Sequence, residues 1–387
     1  HKEYRRQRQM CIRDRPMTEP RKGSGPDRRR FLKGAALAGA APAIAATNVA
    51  EAQISAPRHT PSALPPNAHQ IAAETKVPGA VENRIGGKPG SDFMVDVLKT
   101  LDIKYTPSNC ASSFRALHES LINYGENKAP EYLSCMHEES GVGMAHGYFK
   151  ITGKPLMTMV HGTVGLQHAT MAIYNAYCDR VPVIIIGGND LDAAARPPGV
   201  PTFHAAQDIN LIVRDYTKWD DMPTSLQAFA QSMVRAYKIA MTPPYGPVAI
   251  SLDAGLQQEP IGAHGSGLYI PKLTMPSPPA GEMGAVKDAA KMLLAAENPV
   301  IVADRAARTP NGVRLLVELA ELLQANVVDQ GGRMNFPNTH YLARGAAATA
   351  QADVILGLEL SDFWAVVNSY TDNGEHGIGF NAPKAKA

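Results

Sequence analysis

Residues 134–155 read SCMHEESGVGMAHGYFKITGKP, and this stretch decides the fold. The run over Glu131–Met136 predicts a short strand, which ends at the polar triplet HEE of residues 137–139. The residues that follow have apolar and small side chains at helical spacing, so a helix is expected to begin at this triplet. A strand that leads directly into a helix is the repeating unit of a parallel α/β sheet.

The alternation of strands and helices continues on both sides of this stretch. The runs PLMTMVHG and VPVIIIGGND predict buried strands, and HATMAIYNAYCD predicts a helix between them. After residue 283 the same pattern starts again with VKDAAKMLLAAE and NPVIVAD, but its regularity fades after Ser361. We therefore predict an α/β protein with two doubly wound parallel-sheet domains in tandem after a disordered leader, the second domain being incomplete.

Changes in composition divide the chain into segments. The proline-rich stretch Pro271–Glu282 and the Ala, Pro, Asn and Thr-rich stretch 53–84 read as linkers. We assign the following ranges: a non-native extension at 1–16, a signal peptide at 17–52, a linker at 53–84, a first domain at 85–260, a linker at 261–282 and a second, truncated domain at 283–387.

The leader has the layout of a twin-arginine signal peptide. Residues 28–33 read RRRFLK, an apolar run follows over Gly34–Ala46, and Ala50 and Ala52 provide an A-x-A cleavage site. This route exports proteins that have already folded, so we predict a periplasmic protein.

Composition excludes several other classes of protein. Residues 1–33 carry a net charge of +8, so a total of +2 leaves −6 for the rest, and nucleic acid is not an expected partner. After residue 52 no run of 18 apolar residues occurs, so no membrane association is expected once the signal is cleaved. The four cysteines form no C-x-x-C pair, and we predict no metal ligands in this chain.

Glu138 lies where an open α/β sheet places its ligands, although a carboxylate in the first turn of a helix is also simply a favourable dipole partner. Eight residues separate Glu138 from the pair Gly147-Tyr148, and Gly153-Lys154-Pro155 follows. This spacing resembles the pyrimidine-binding domain of thiamine diphosphate-dependent enzymes, in the acetolactate synthase and 2-oxo acid decarboxylase family. Three further segments resemble the same domain in the same order, and they contain Gly165, Gln207-Asp208 and Gly246-Pro247.

The resemblance implies roles for several residues. It implies that Glu138 hydrogen-bonds the cofactor's aminopyrimidine and so activates it, as a buried carboxylic group with a raised pKa. Gly165 is the residue retained from the family's G-P-G turn, and the resemblance implies that Gly165 and Gln207 also bind the cofactor. Glu139 lies one place off the pattern and is expected to be structural.

Two residues bear on the reaction itself. His161 lies 21 residues before Pro182, as in benzoylformate decarboxylase-like relatives, where a histidine moves protons; the alternative is a satisfied histidine at a strand end. The turn Asn109-Cys110-Ala111-Ser112 resembles the family's N-P-G-S turn, which implies that Ser112 contacts the substrate carboxylate. His168 is expected to be a polar packing residue.

The family's third domain binds the diphosphate through Mg²⁺ held by a Gly-Asp-Gly motif, and this sequence contains no G-D-G. We therefore expect a fragment that is not active alone, with the magnesium ligands in a further domain. FAD is possible in the second domain, although no G-x-G-x-x-G is present. The resemblance implies a homodimer or homotetramer that acts on 2-oxo acids by decarboxylation or carboligation. The alternative is a non-catalytic two-domain binding or scaffold protein.

Overall fold

The computed structural model describes residues 66–74, 87–191, 204–264, 267–331, 334–371 and 377–380. The predicted extension 1–16 and signal peptide 17–52 lie outside these residues. The chain forms two compact units, His1–Val81 and Glu82–Ala387. The first unit is described only around helix α1 (Ala68–Glu74), so part of the predicted linker 53–84 is helical.

The first sheet is parallel throughout. Its strands are β1 (Tyr105–Ser108), β2 (Glu131–Ser134), β3 (Leu156–His161), β4 (Val183–Asn189), β5 (Trp219–Asp221) and β6 (Val248–Asp253). β1 pairs with β2, and the other four lie in the order β3-β4-β6-β5. β1 lies beside β3, where the Met159 backbone N–H donates to the Ser108 hydroxyl over 2.8 Å.

Helices cover both faces of this sheet. They are α2 (Gly90–Lys99), α3 (Arg115–Glu119), α4 (Glu138–Thr152), α5 (Gly162–Cys178), α6 (Leu226–Ala240) and α7 (Ala254–Gln258). Alternate residues of a strand face opposite sides of a sheet. Met157 and Met159 therefore pack with α2 and α6 in one core, whereas Leu156 and Val160 pack with α4 and α5 in the other. Burial on both faces explains why these strands are continuously apolar.

The second sheet repeats this arrangement on a smaller scale. Its strands are β7 (Pro299–Ala303), β8 (Asn326–Asp329), β9 (Ala343–Arg344) and β10 (Val354–Leu358), in the parallel order β10-β7-β8-β9. The helices around it are α8 (Met283–Leu294), α9 (Pro310–Leu323) and α10 (Phe363–Val367). An antiparallel hairpin, β11 (Asn368–Thr371) and β12 (Gly377–Phe380), follows where the sequence pattern fades.

The predicted α/β fold with parallel sheets is confirmed, and its details differ in three places. The strand expected over Glu131–Met136 already ends at Ser134. The region after Ser361 contains α10 and a hairpin rather than irregular chain. The predicted linker 261–282 is docked in part, because the Tyr269 backbone N–H donates to the Gln227 side chain on α6 over 3.0 Å.

The domain boundaries stay a prediction, since both sheets lie in the single compact unit Glu82–Ala387. Among the described residues, no helix combines the length and the apolar character that a membrane span requires.

Candidate active site

Glu138 occupies the carboxyl end of the first sheet. After β2 ends at Ser134, His137 caps α4 and Glu138 is its first residue, with only 3% of the residue exposed. The neighbouring Glu139 is exposed, and its backbone N–H donates to His137 Nδ1 over 3.3 Å. One step along the chain thus separates a buried carboxylate from a solvated one.

The Glu138 carboxylate has partners that the sequence did not indicate. His168 Nδ1 on α5 lies 3.1 Å from Glu138 Oε2, and the Asn109 side chain hydrogen-bonds the same carboxylate. Burial raises the pKa of Glu138, but hydrogen bonds from its own backbone N–H, His168 and Asn109 outweigh burial, so its pKa lies below the ordinary value. The expectation of a raised pKa was therefore wrong, because it counted burial and not the donors.

Gly165 lies directly against Glu138. It is in the first turn of α5, and a Cβ at this position would lie 3.0 Å from Glu138 Oε1 and 3.2 Å from His161 Cβ. Such contacts are tighter than side chains normally accept, so glycine lets helix α5 approach the carboxylate. The retained glycine of the turn is thus brought together with both predicted catalytic residues.

His161 ends β3 and is half-buried beside the same cleft. Its Nδ1 lies 2.7 Å from the Ser113 hydroxyl, and its ring stacks on His204 with centroids 4.5 Å apart. Burial lowers the pKa of His161, and the neighbouring His204 lowers it further, while Glu138 and Asp190 act in the opposite direction. The ring is therefore neutral at neutral pH, the form that can either accept or donate one proton at a time.

The other two predicted residues lie close in sequence to Ser113 and His204, which contact His161. Ser112 opens a 3-10 helix after β1 and is exposed. Gln207 is exposed three residues after His204. Their assigned contacts with substrate and cofactor stay predictions.

Sequence reasoning missed Ser113, His168 and His204. His168 is not a packing residue, since nearly half of its side chain is exposed and its ring holds the Glu138 carboxylate. Its position seven residues after His161, two helical turns into α5, was the available signal. Ser113 lay beside the predicted Ser112, but which serine is buried depends on how the turn after β1 packs. His204 comes from a distant loop that no local pattern connects to His161.

Two imidazoles and a carboxylate also form a set of potential metal ligands. Ligand atoms of His137, Glu138 and His168 lie within 4.8 Å of one another, and the rings of His137 and His168 stack at 4.7 Å. The direct hydrogen bond between His168 and Glu138 takes up the space between two of these ligands. We therefore interpret the cluster as support for the carboxylate.

A buried carboxylate, a neutral histidine and a close glycine thus meet at the carboxyl end of the first sheet. Residues 88–205 match the family described as thiamine pyrophosphate enzyme, N-terminal TPP binding domain. The chain is 27% identical to benzoylformate decarboxylase of Pseudomonas aeruginosa over 261 residues. This matched stretch covers 64% of this chain and 48% of that protein. It is also 24% identical over 281 residues to the acetolactate synthase large subunit of Haemophilus influenzae. That match covers 70% of this chain and 48% of the relative.

The fold is also that of a solved structure, benzoylformate decarboxylase from Polynucleobacter necessarius. The TM-score is 0.60 at 22% identity, with 70% of this chain and 50% of that chain covered. The chain spans about half the length of the relatives it matches. Residues 88–205 are thus similar to the thiamine pyrophosphate binding domain that the sequence resembles, and the relatives include proteins named as a decarboxylase and as a synthase.

Proposed function

We propose that the complete protein decarboxylates or ligates 2-oxo acids with thiamine diphosphate as cofactor. The observation that carries this proposal is the buried Glu138 carboxylate, which is hydrogen-bonded by His168 and lies against Gly165 at the carboxyl end of the sheet. The relatives named benzoylformate decarboxylase and acetolactate synthase support the substrate class.

The residues present fit the pyrimidine end of this cofactor. Glu138 supplies a buried carboxyl group that can bind a ring nitrogen, and Gly165 leaves the space beside it that a Cβ would fill. Gln207 is proposed to bind the cofactor from the loop after His204. When bound, thiamine diphosphate supplies a carbon nucleophile and an electron sink, which is the chemistry that decarboxylation next to a carbonyl requires.

The chain's own groups are proposed to select the substrate and move protons. Exposed Ser112 is suited to bind the substrate carboxylate, whereas His161 is suited to transfer a proton in the cleft. His161 together with Ser112 favours simple decarboxylation, while similarity to acetolactate synthase favours ligation.

The diphosphate end of the cofactor requires further groups. We propose that Mg²⁺ would be held with the diphosphate by a Gly-Asp-Gly motif, which residues 1–387 do not contain, and no G-x-G-x-x-G motif supports FAD in the second sheet. Because the family's active site lies between subunits, we propose a homodimer or homotetramer. The twin-arginine pattern of the leader supports export to the periplasm.

The role of Glu138 is tested by substitution in the complete protein. We expect Glu138→Gln to lower thiamine-dependent turnover of a 2-oxo acid by roughly 10²–10⁴-fold, because the amide cannot exchange a proton with the cofactor. Glu139→Gln, one residue further and exposed, is the matched control and should keep turnover unchanged. Product analysis with pyruvate and with benzoylformate then separates ligation from decarboxylation.

Wild-type turnover in the Glu138→Gln variant would remove the assigned role. If the complete protein binds no thiamine diphosphate by calorimetry, the non-catalytic binding or scaffold function is the better interpretation.

A further inference from the structure

We propose that Ser113 is the positioning residue for His161: its hydroxyl donates to Nδ1 and holds the ring proton of the neutral imidazole on Nε2. The catalytic meaning of this bond rests on the proposed function, but the bond itself does not. Ser112, which the family resemblance points to, serves a different purpose from its neighbour.

The direction of the hydrogen bond follows from burial. Ser113 is fully buried, and its Oγ lies 2.7 Å from His161 Nδ1. Among the hydrogen bonds of the described residues, this is the one that the Ser113 hydroxyl makes. A buried O–H that finds no acceptor is unfavourable, so the hydroxyl proton points to Nδ1. Nδ1 can accept only when the proton of the neutral ring is on Nε2.

Ser113 is held in place by the ends of other strands. It lies in the 3-10 helix Ser112–Phe114, directly after β1, and its backbone carbonyl accepts from Gln257 Nε2 over 2.9 Å. Gln257 follows β6, is fully buried, and accepts from the Leu117 backbone N–H over 3.3 Å. The position of the serine is therefore fixed by two segments that are far apart in sequence.

The end of β4 is shaped to receive this serine. A Cβ on Gly188 would lie 2.5 Å from Ser113 Oγ and 2.9 Å from the Ser113 backbone. No side chain fits at that distance, so glycine is required for the Ser113 segment to cross β4 here. The contact between Ser113 and His161 is thus built by β1, β3, β4 and β6 together.

The assigned tautomer has a chemical consequence. With Nδ1 engaged by Ser113, Nε2 carries the exchangeable proton, so resting His161 is a proton donor. Loss of this proton from the neutral ring would leave an imidazolate, so the neutral ring donates a hydrogen bond from Nε2 rather than a whole proton. His161 therefore offers an N–H donor to a bound ligand, in a position where burial and His204 keep the ring uncharged. Full transfer of a proton to the ligand requires that the ring first take up a second proton.

Nuclear magnetic resonance of the 387-residue chain, without cofactor, tests the hydrogen bond between Ser113 and His161. In protein labelled with ¹⁵N-histidine, we expect the His161 Nδ1 signal of the wild type to be of the unprotonated type and Nε2 of the protonated type. Ser113→Ala should move both signals toward the average of two tautomers. Ser112→Ala, the matched control, should leave them unchanged. A proton on Nδ1 of His161 in the wild type would overturn the proposal. So would a shift of the His161 signals in Ser112→Ala but not in Ser113→Ala. If Ser113→Ala does not fold, the wild-type spectrum alone decides.

Kinetics of the complete protein test the division of roles. Ser113→Ala should lower kcat by roughly tenfold to a hundredfold with KM little changed, whereas Ser112→Ala should mainly raise KM. The same change of kcat and KM in both variants would contradict separate roles. If the complete protein shows no thiamine-dependent turnover, the proposed function fails, while the resonance measurement still decides the Ser113–His161 bond.

Discussion

The two parallel sheets of this chain both carry acidic side chains where their strands end, but these side chains serve different purposes. In the first sheet Glu138 is held by side chains that themselves reach the cleft, such as the half-exposed His168. In the second sheet Asp329 ends β8 and binds the backbone of its own loop, whereas Asp304, directly after β7, accepts from the Ser361 backbone N–H beyond β10.

Asp329 shows the second arrangement most clearly. Its carboxylate accepts from the backbone N–H groups of Gly331, Asn335 and Phe336 over 3.0, 2.7 and 3.2 Å. A cavity of about 740 Å³ opens at this place and is lined in part by Asp329, Met334 and Arg344. Size and position at the strand ends therefore do not make a catalytic site when the polar groups are used to fold the loop.

The largest expected effect tests whether the second sheet's carboxylates are structural. Asp329→Ala leaves several loop N–H groups without an acceptor and should reduce the free energy of unfolding by about 2–4 kcal/mol. Asp329→Asn keeps one acceptor oxygen and should lose less. Urea unfolding of the chain measures both. If Asp329→Ala is as stable as the wild type, the contrast between the two sheets is wrong.

A carboxylate of the first domain that lies away from the cleft sharpens the comparison. Asp179 accepts from Lys150 over 2.8 Å and His146 over 2.9 Å. Burial raises its pKa, but these two partners outweigh burial and hold the pKa below the ordinary value. A lowered folded-state pKa adds stability above the unfolded pKa of about 3.9, and this stability is lost as the pH falls through the folded pKa.

Asp179→Asn should therefore lower the free energy of unfolding by about 1 kcal/mol at pH 7, a value reduced by solvent screening. The difference from the wild type should disappear once the pH falls below the lowered folded-state pKa of Asp179. Urea unfolding at several pH values measures it, with Asp288→Asn as the control, because Asp288 forms an exposed pair with Lys291. A difference that persists unchanged at low pH would show that charge is not its cause.

The smallest effect on stability is expected inside the cleft. Gly165→Ala gains about 1 kcal/mol of helix propensity but crowds Glu138 and His161, so the free energy of unfolding should change by less than about 1 kcal/mol. The crowding should weaken thiamine diphosphate binding by the complete protein by roughly tenfold, measured by calorimetry. Gly143→Ala on α4 is the control, since a Cβ there meets open space. Equal cofactor affinity in both variants would contradict the role of Gly165.

Much of the fold could be predicted from the sequence, because buried parallel strands appear in it as short continuous apolar runs. VPVIIIGGND and NPVIVAD correspond to β4 and β7 within a few residues. The hairpin of β11 and β12 could not be predicted, since its residues lack the alternating pattern that marks an isolated hairpin. Strand order was also beyond local patterns, because it depends on packing between distant segments.

The site was predictable where chemistry and spacing coincide along the chain. Glu138, His161 and Gly165 lie within 28 residues of one another, and the structure brings them together. The direction of the Glu138 pKa shift was not predictable, because it depends on His168 and Asn109, whose side chains meet the carboxylate only in the folded protein. The choice between Ser112 and Ser113 likewise depends on Gln257 and Gly188, which arrive from other strands.

Helix α5 joins the cleft to the second sheet mechanically. Its first turn carries Gly165, and its last carbonyl, that of Cys178, accepts from Arg305, which also donates to the Asp179 carbonyl over 3.2 Å. Its 17 residues make a rod of roughly 25 Å. Because an α-helix is stiff along its axis, contacts at both ends of α5 fix the position of Gly165. The position of Gly165 in the cleft is therefore fixed in part by Arg305, which follows β7 of the second sheet and binds the far end of helix α5.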